Sequence, residues 1–275
     1  MMSRWAWGAM LAAALVFLTT ASTQGSEAGS ASRLRVLSYN IHHGEGVDHK
    51  LDLQRIAGVI KSANPDWVAL QEVDKGTRRT DRVDQPAELA RLTGMNVVFG
   101  GNIRYQGGDY GNAVLSRLPI KRHKNHHLPL FDDGEQRGVL EVEVQMPDGG
   151  GTVLLLATHL DHRRGDRERL ASAATINNLA AARAGQPAVL AGDLNDLPDS
   201  KTLRRFRTVW TPANEKVLPT IPVKEPTRQI DFILFRPADR WKVIEVRVLE
   251  EAVASDHRAI FAVLELTPSH STKPD

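Results

Sequence analysis

"LLATHLDHR", residues 155–163, is the stretch on which the reading of this chain turns. An apolar run through Leu155, Leu156 and Ala157 leads into Thr158, His159, Leu160, Asp161 and His162. With "TVL" before it, the run reads as a strand apolar on both faces, as buried strands are. Such a strand ending in histidine and carboxylate carries polar chemistry to the rim of a sheet. Strand ends and loops on one rim are where α/β scaffolds gather catalytic groups.

The same ending recurs. "RLRVLSYN" (33–40) stops at Asn40, "PDWVALQEV" (65–73) stops at Glu72, and "AVLAGDLN" (188–195) stops at Asp193 and Asn195. Between these runs lie helical patterns. "LDLQRIAGVIKS" (51–62) sets Leu53, Ile56, Ala57 and Ile60 on one face, and 85–93 and 167–183 read as further helices. "MNVVFG" and "YGNAVLSRLP" read as strands joined by a Gly-rich loop, and "GVLEVEVQM" alternates as a half-buried strand does. "QIDFILF", "WKVIEVRVL" and "RAIFAVLEL" complete the strands. No internal repeat or domain break interrupts this α/β alternation.

Composition bounds the class. The 275 residues are 41% hydrophobic and 25% charged, which is globular and too apolar for a disordered chain. A chain of this length buries a large core. There is no cysteine, which excludes disulfides, zinc–thiolate sites and a thiol nucleophile. A net charge of +2 is far from the bias of a nucleic-acid coat protein. "TRRTDR" (77–82), "KRHKNHH" (121–127) and "HRRGDRER" (162–169) read as solvated faces.

The first residues have the layout of a secretory leader. Arg4 precedes the apolar run 9–18, and small residues follow, with Ala21 or Ala28 as cleavage points. The run is short for a membrane span, which needs roughly 20 residues, although an uncleaved anchor shares the pattern. The expected organisation is a signal peptide over 1–28, a linker over 29–32, a catalytic domain over 33–267 and a tail over 268–275. The folded domain is then extracytoplasmic, periplasmic or secreted.

Singly, each polar motif has a plain structural explanation. A lone histidine at a strand end is usually a hydrogen-bonded structural group. "GDLND" suits a turn, and "ASDHR" suits a loop with capping side chains. The ordered series "SYNIH", "LQEVD", "YGNAVLSRLPI", "ATHL", "AGDLND", "QIDFIL" and "SDHRAI" is far more specific. It resembles the endonuclease/exonuclease/phosphatase superfamily, the deoxyribonuclease-I-like fold, over about residues 33–267. Members include apurinic endonucleases, deoxyribonucleases, neutral sphingomyelinases and inositol-polyphosphate 5-phosphatases. The resemblance implies a four-layer α/β-sandwich, two packed mixed β-sheets flanked by helices, with the active site at one end.

It also implies roles. Glu72 and Asn40 match the metal position, with Asp256 beside them, for Mg²⁺ or Mn²⁺. An oxygen-rich donor set suits these hard cations. His257 matches the paired histidine and Asp231 the carboxylate that orients it. His159 matches the second active-site histidine. Asp193 and Asn195 match the groups that position the attacking water and the phosphate. Asn112 matches a substrate contact, and Arg137 is a candidate phosphate clamp because a guanidinium grips phosphate oxygens in pairs. Either Asp193 or the His257–Asp231 pair can be the general base on this reading. His42, His43, Asp161 and His162 are near the motifs without an assigned part.

The implied activity is metal-dependent hydrolysis of a phosphodiester by an activated water, in an exported bacterial hydrolase branch of the superfamily. The alternatives are a phosphomonoesterase and a non-catalytic phosphate-binding module. The full set of acid, base and metal residues argues against the last. The substrate is either nucleic acid or a phospholipid head group, and no obligate protein partner is evident, so a monomer is expected. A basic segment interleaved with aromatics, of the kind that tracks single strands, is missing, and aromatics make up 5% of the chain.

Overall fold

The computed structural model describes residues 2, 32–131, 133–147 and 151–267. The leader reading rests on residues that, Met2 apart, lie outside the described ones, as does the tail reading over 268–275. In chain order the elements are β1 (Ser32–Asn40), α1 (Leu53–Ala63), β2 (Trp67–Lys75), α2 (Gln85–Thr93), β3 (Asn96–Tyr105) and β4 (Gly108–Ser116). Then come β5 (Ile120–His127), β6 (Gly138–Gln145), β7 (Thr152–His159), α3 (Arg167–Ala181), β8 (Ala188–Asp193) and α4 (Lys201–Phe206). The chain ends on β9 (Thr211–Pro212), β10 (Asp231–Arg236), β11 (Trp241–Val248) and β12 (Ile260–Leu266).

The strands form two six-stranded sheets, ordered β11-β12-β1-β2-β4-β3 and β5-β6-β7-β8-β10-β9. Each has one parallel pair at its centre, β1 with β2 and β7 with β8, and antiparallel neighbours outside it. The two-residue period of a strand sorts the side chains. Val36, Val153, Leu155, Val189 and Ile233 point between the sheets into one shared core. Their neighbours Leu37, Tyr39 and Val68 face α1 and α2, and Leu154, Leu156 and Leu190 face α3 and α4. This gives the four layers, helices–sheet–sheet–helices, that the family resemblance implied. It also explains why the central strands are apolar on both faces.

Local signals fix the helix ends. Asp52 accepts from the Arg55 N–H and Asp84 from the Ala87 N–H, satisfying first-turn donors of α1 and α2. Asn64 and Gly94 close the same helices in the left-handed conformation.

"KRHKNHH", read as a solvated face, is the largely exposed outer strand β5, which pairs with β6 alone. An edge strand dressed in charge and histidine resists pairing with another chain, and the lack of apolar alternation hides it in the sequence. β2 does not stop at Glu72 but runs on to Lys75. Its pairing with β4 slips between Leu70 and Val73, and Glu72 sits in that irregularity at φ 57°. A bulge re-aims a side chain out of the pleat, and here the side chain is a carboxylate.

Candidate active site

Strand register builds the site. β7 and β8 end together, with His159 opposite Asp193. β10 runs antiparallel to β8 and begins where β8 ends, so Asp231 also lies opposite Asp193. In the other sheet Asn40 closes β1 opposite Gln71, next to the bulged Glu72. His257 lies in the loop before β12. Ser255 fastens that loop to the same rim by donating to the Asn40 carbonyl at 2.7 Å. The strands pack closely here: a Cβ on Gly192 would lie 2.0 Å from the Thr158 carbonyl oxygen, which leaves room only for glycine.

The groups converge on the Asp193 carboxylate, which is 1% exposed. Its Oδ1 accepts from the Asn195 backbone N–H at 2.9 Å. Its Oδ2 accepts from Asn40 Nδ2 at 3.1 Å and lies 3.5 Å from His159 Nε2 and 3.8 Å from His257 Nε2. His257 Nδ1 donates to Asp231 Oδ2 at 2.9 Å, and Thr220 Oγ1 donates to the same oxygen at 2.6 Å. Asn195 adopts φ 49°, which turns its side chain toward the His159 ring, and it donates to the Leu160 carbonyl at 3.0 Å.

Environment separates the ionisations of these groups. Burial, then the charge of Asp231, push the Asp193 carboxyl up to about 7 against the opposing pull of His257. Burial works against the charged form of His257, but the charge and hydrogen bond of Asp231 outweigh it and raise the imidazolium to about 10. Burial, reinforced by Arg137 and His257, drives His159 well below the ordinary histidine value. Near neutral pH the site therefore holds a carboxylate poised to take a proton, one imidazolium and one neutral imidazole. Such a spread marks an acid–base site.

These groups face a cleft of about 370 Å³ that also exposes Glu72, Asp256, His42, Arg137 and His162. Asn40 Nδ2 donates to Glu72 Oε1 at 3.0 Å, while Asn40 Oδ1 accepts from the His42 N–H at 3.1 Å. Asn40 thus turns its donor to Glu72 and its oxygen to the backbone, which tethers Glu72. Asn112 is 1% exposed and donates to the Gly138 carbonyl at 3.0 Å. It ties the two sheets together and is not among the residues lining the cleft. The neighbouring Tyr110 lines the cleft instead. Arg137 is nearly buried and lines the cleft. Asp161 is buried and paired with Arg163 at 3.0 Å, so it props the loop after β7.

Sequence reasoning passed over one wall. Arg79, read in a solvated cluster, is held by both oxygens of the fully buried Asp74 at 2.7 and 2.9 Å. Its guanidinium stacks over Tyr105 at 4.8 Å and Tyr110 at 5.4 Å. The signal was an arginine five residues after an aspartate that ends a buried apolar run.

Two donor sets can be weighed for a cation. Among the described residues, Asp193, Asp231 and His257 bring one ligand atom each within 4.8 Å of one another. His257 and Asp231 spend those atoms on each other, so a cation there would break the pair. Glu72 and Asp256 both line the cleft and offer hard carboxylate oxygens, the donors that Mg²⁺ takes one or two at a time with water. This second set fits a divalent cation.

The comparisons agree with the architecture. Residues 37–257 match the family model described as "Endonuclease/Exonuclease/phosphatase family". The protein YbhP of Escherichia coli K12 is 28% identical over 248 residues, covering 84% of this chain and 96% of its own. The endonuclease/exonuclease/phosphatase structure from Beutenbergia cavernae superposes with a TM-score of 0.74 at 27% identity, covering 86% of this chain and 72% of its own. A mannosyl-6-phosphatase of Bacteroides thetaiotaomicron shares the fold, with a TM-score of 0.71 at 20% identity over 84% of this chain and 99% of its own. With its two-sheet sandwich and this rim of carboxylates and histidines, the chain belongs to the endonuclease/exonuclease/phosphatase family of hydrolases.

Proposed function

We propose that the chain is a divalent-metal-dependent phosphoesterase that hydrolyses a phosphodiester by attack of water. The observation that carries this reading is the convergence of a raised carboxyl, Asp193, with the His257–Asp231 pair in a cleft lined by Glu72, Asp256 and Arg137. Phosphoester hydrolysis needs an activated water, neutralised phosphoryl charge and a proton for the leaving group. Asp193 accepts the proton of the water at Oδ2. The His257 imidazolium, kept charged by Asp231, stabilises negative charge and returns a proton from Nε2. Neutral His159 offers a hydrogen bond without adding charge. Glu72, tethered by Asn40, and Asp256 would hold Mg²⁺ or Mn²⁺, which supplies Lewis-acid stabilisation of the phosphoryl oxygens.

A second reading, a phosphomonoesterase, draws on the size of the cleft. About 370 Å³ lies in the small-ligand range and suits a head group or terminal phosphate better than a long polymer. The leader-like segment over 1–28 supports an extracytoplasmic enzyme.

A panel of plasmid DNA, RNA, sphingomyelin, phosphatidylinositol, bis-p-nitrophenyl phosphate and p-nitrophenyl phosphate, incubated with enzyme and Mg²⁺ or Mn²⁺, tests the proposal. Cleavage of a diester that stops on adding chelator is expected. Cleavage of the monoester alone would establish the second reading. Silence across the panel in both metals would refute hydrolysis of these ester classes.

A further inference from the structure

Arg137 makes an unusual set of contacts. The residue is 5% exposed, yet one guanidinium nitrogen, Nη1, lies 3.2 Å from Nδ1 of His159 and the other, Nη2, lies 3.0 Å from Nδ1 of His162. Glu135 approaches Nη2 at 2.9 Å, and the Tyr110 hydroxyl is hydrogen-bonded to the same side chain. A guanidinium only donates. Both imidazoles must therefore accept at Nδ1, and each must then carry its proton on Nε2. One fork sets two tautomers.

The consequence lies on the other side of the two rings. His162 is exposed and lines the cleft, and among the described residues its Nε2 has no hydrogen-bond partner. The Nε2 of His159 lies 3.0 Å from Asn195 Nδ2. Both atoms carry hydrogens, so they do not satisfy each other; Asn195 Nδ2 gives one hydrogen to the Leu160 carbonyl at 3.0 Å, and His159 Nε2 lies 3.5 Å from Asp193 Oδ2. His162 Nε2 is thus the donor left to the cleft, beside His159 Nε2 and the second hydrogen of Asn195 Nδ2. An anion with several oxygens is the acceptor such a group suits.

We propose that His162 donates a hydrogen bond from Nε2 to a phosphoryl oxygen of the substrate, and that Arg137 is the positioning residue that fixes this tautomer in His162 and His159. Arg137 then acts through the two rings rather than as a simple clamp. The proposal rests on the phosphoesterase reading for the identity of the acceptor, but the tautomers do not depend on turnover.

Two measurements on the full chain test it. Nitrogen-15 NMR of labelled histidines should show His159 and His162 unprotonated at Nδ1 and protonated at Nε2. In Arg137→Lys, whose single ammonium cannot bridge both rings, His162 should shift to a mixture of tautomers. A proton on Nδ1 of His162 in the wild type, or the same fixed tautomers in the lysine variant, overturns the positioning role. The second measurement is titration with inorganic phosphate as the probe. His162→Leu, a change at an exposed position, should weaken phosphate binding by about threefold to tenfold, the range of one hydrogen bond. His162→Gln, whose amide nitrogen reaches toward the place of Nε2, should restore most of it. With a hydrolysed ester, the leucine variant should raise KM more than it lowers kcat. Phosphate binding unchanged in His162→Leu overturns the contact. A wild type that binds phosphate with these tautomers yet hydrolyses nothing would refute the phosphoesterase reading and leave the donor arrangement standing.

Discussion

Replacing Asp193 by asparagine is expected to lower kcat by about 10²–10⁴-fold, the usual contribution of a general base, while making the folded protein more stable. The two effects share one cause. Burial and the charge of Asp231 push the Asp193 carboxyl up to about 7. The folded protein therefore holds that proton more tightly than the unfolded chain, whose aspartates ionise at about 3.9. Ionising Asp193 costs stability progressively from about pH 4 to about pH 7, and the cost is complete above that. A rise of this size corresponds to a cost on the order of 4 kcal/mol. An asparagine of the same shape is never charged and its single oxygen can still accept from the Asn195 N–H, although its amide nitrogen gives up the bond from Asn40. Thermal unfolding at pH 8 should show Asp193→Asn melting several degrees above the wild type, with the gap closing toward pH 4. A variant that keeps wild-type turnover would remove Asp193 as the base. A variant less stable at pH 8 would contradict the electrostatic account of it.

Asp231→Asn should act through His257. In the wild type, the pH–rate profile should rise as Asp193 loses its proton near pH 7 and fall as His257 loses its own near pH 10. Burial alone would favour neutral His257, and the Asp231 charge reverses that balance. Without the charge, burial is opposed only by Asp193 and Asp256, and His257 should deprotonate well below pH 10. The alkaline limb then moves to lower pH, and kcat above neutrality should fall with it. The raised value also makes His257 a source of stability. That contribution is fully present below about pH 6.5 and is lost as pH rises through about 10. Asp231→Asn should thus lose stability at pH 7–8. A profile whose alkaline limb stays near pH 10 in this variant would show that another group sets it.

The two-sheet architecture was legible through the ordered motifs that carry the family resemblance, and the strands themselves through apolar runs such as Val153 to Ala157 and Val189 to Ala191. The rim was legible because those runs end abruptly in polar groups, and His159, Asp193 and Asp231 do meet in register there. Other features depend on contacts that no local pattern encodes. The bulge that lifts Glu72 comes from a slip against β4, forty residues downstream. The wall of Arg79, Tyr105 and Tyr110 arises because the β3–β4 hairpin and the loop after β2 meet only in the folded chain. Asn112 and Tyr110 are two residues apart on a strand, yet the cleft takes one and the sheet interface the other. Strand alternation does not predict this, since both share a parity, and the β3–β4 pairing shifts between Gly101 and Ile103 beside them.

The central claim is that this cleft hydrolyses a phosphoester with a cation held at Glu72. The most direct measurement is the rate of bis-p-nitrophenyl phosphate hydrolysis against Mg²⁺ or Mn²⁺ concentration, for the wild type and for Glu72→Ala. A saturable metal dependence in the wild type, abolished by chelator, is the expected result. Glu72→Ala should need far more metal and still fall well short of the wild-type rate. Equal rates in excess chelator, or a Glu72→Ala variant with an unchanged metal response, would contradict the account.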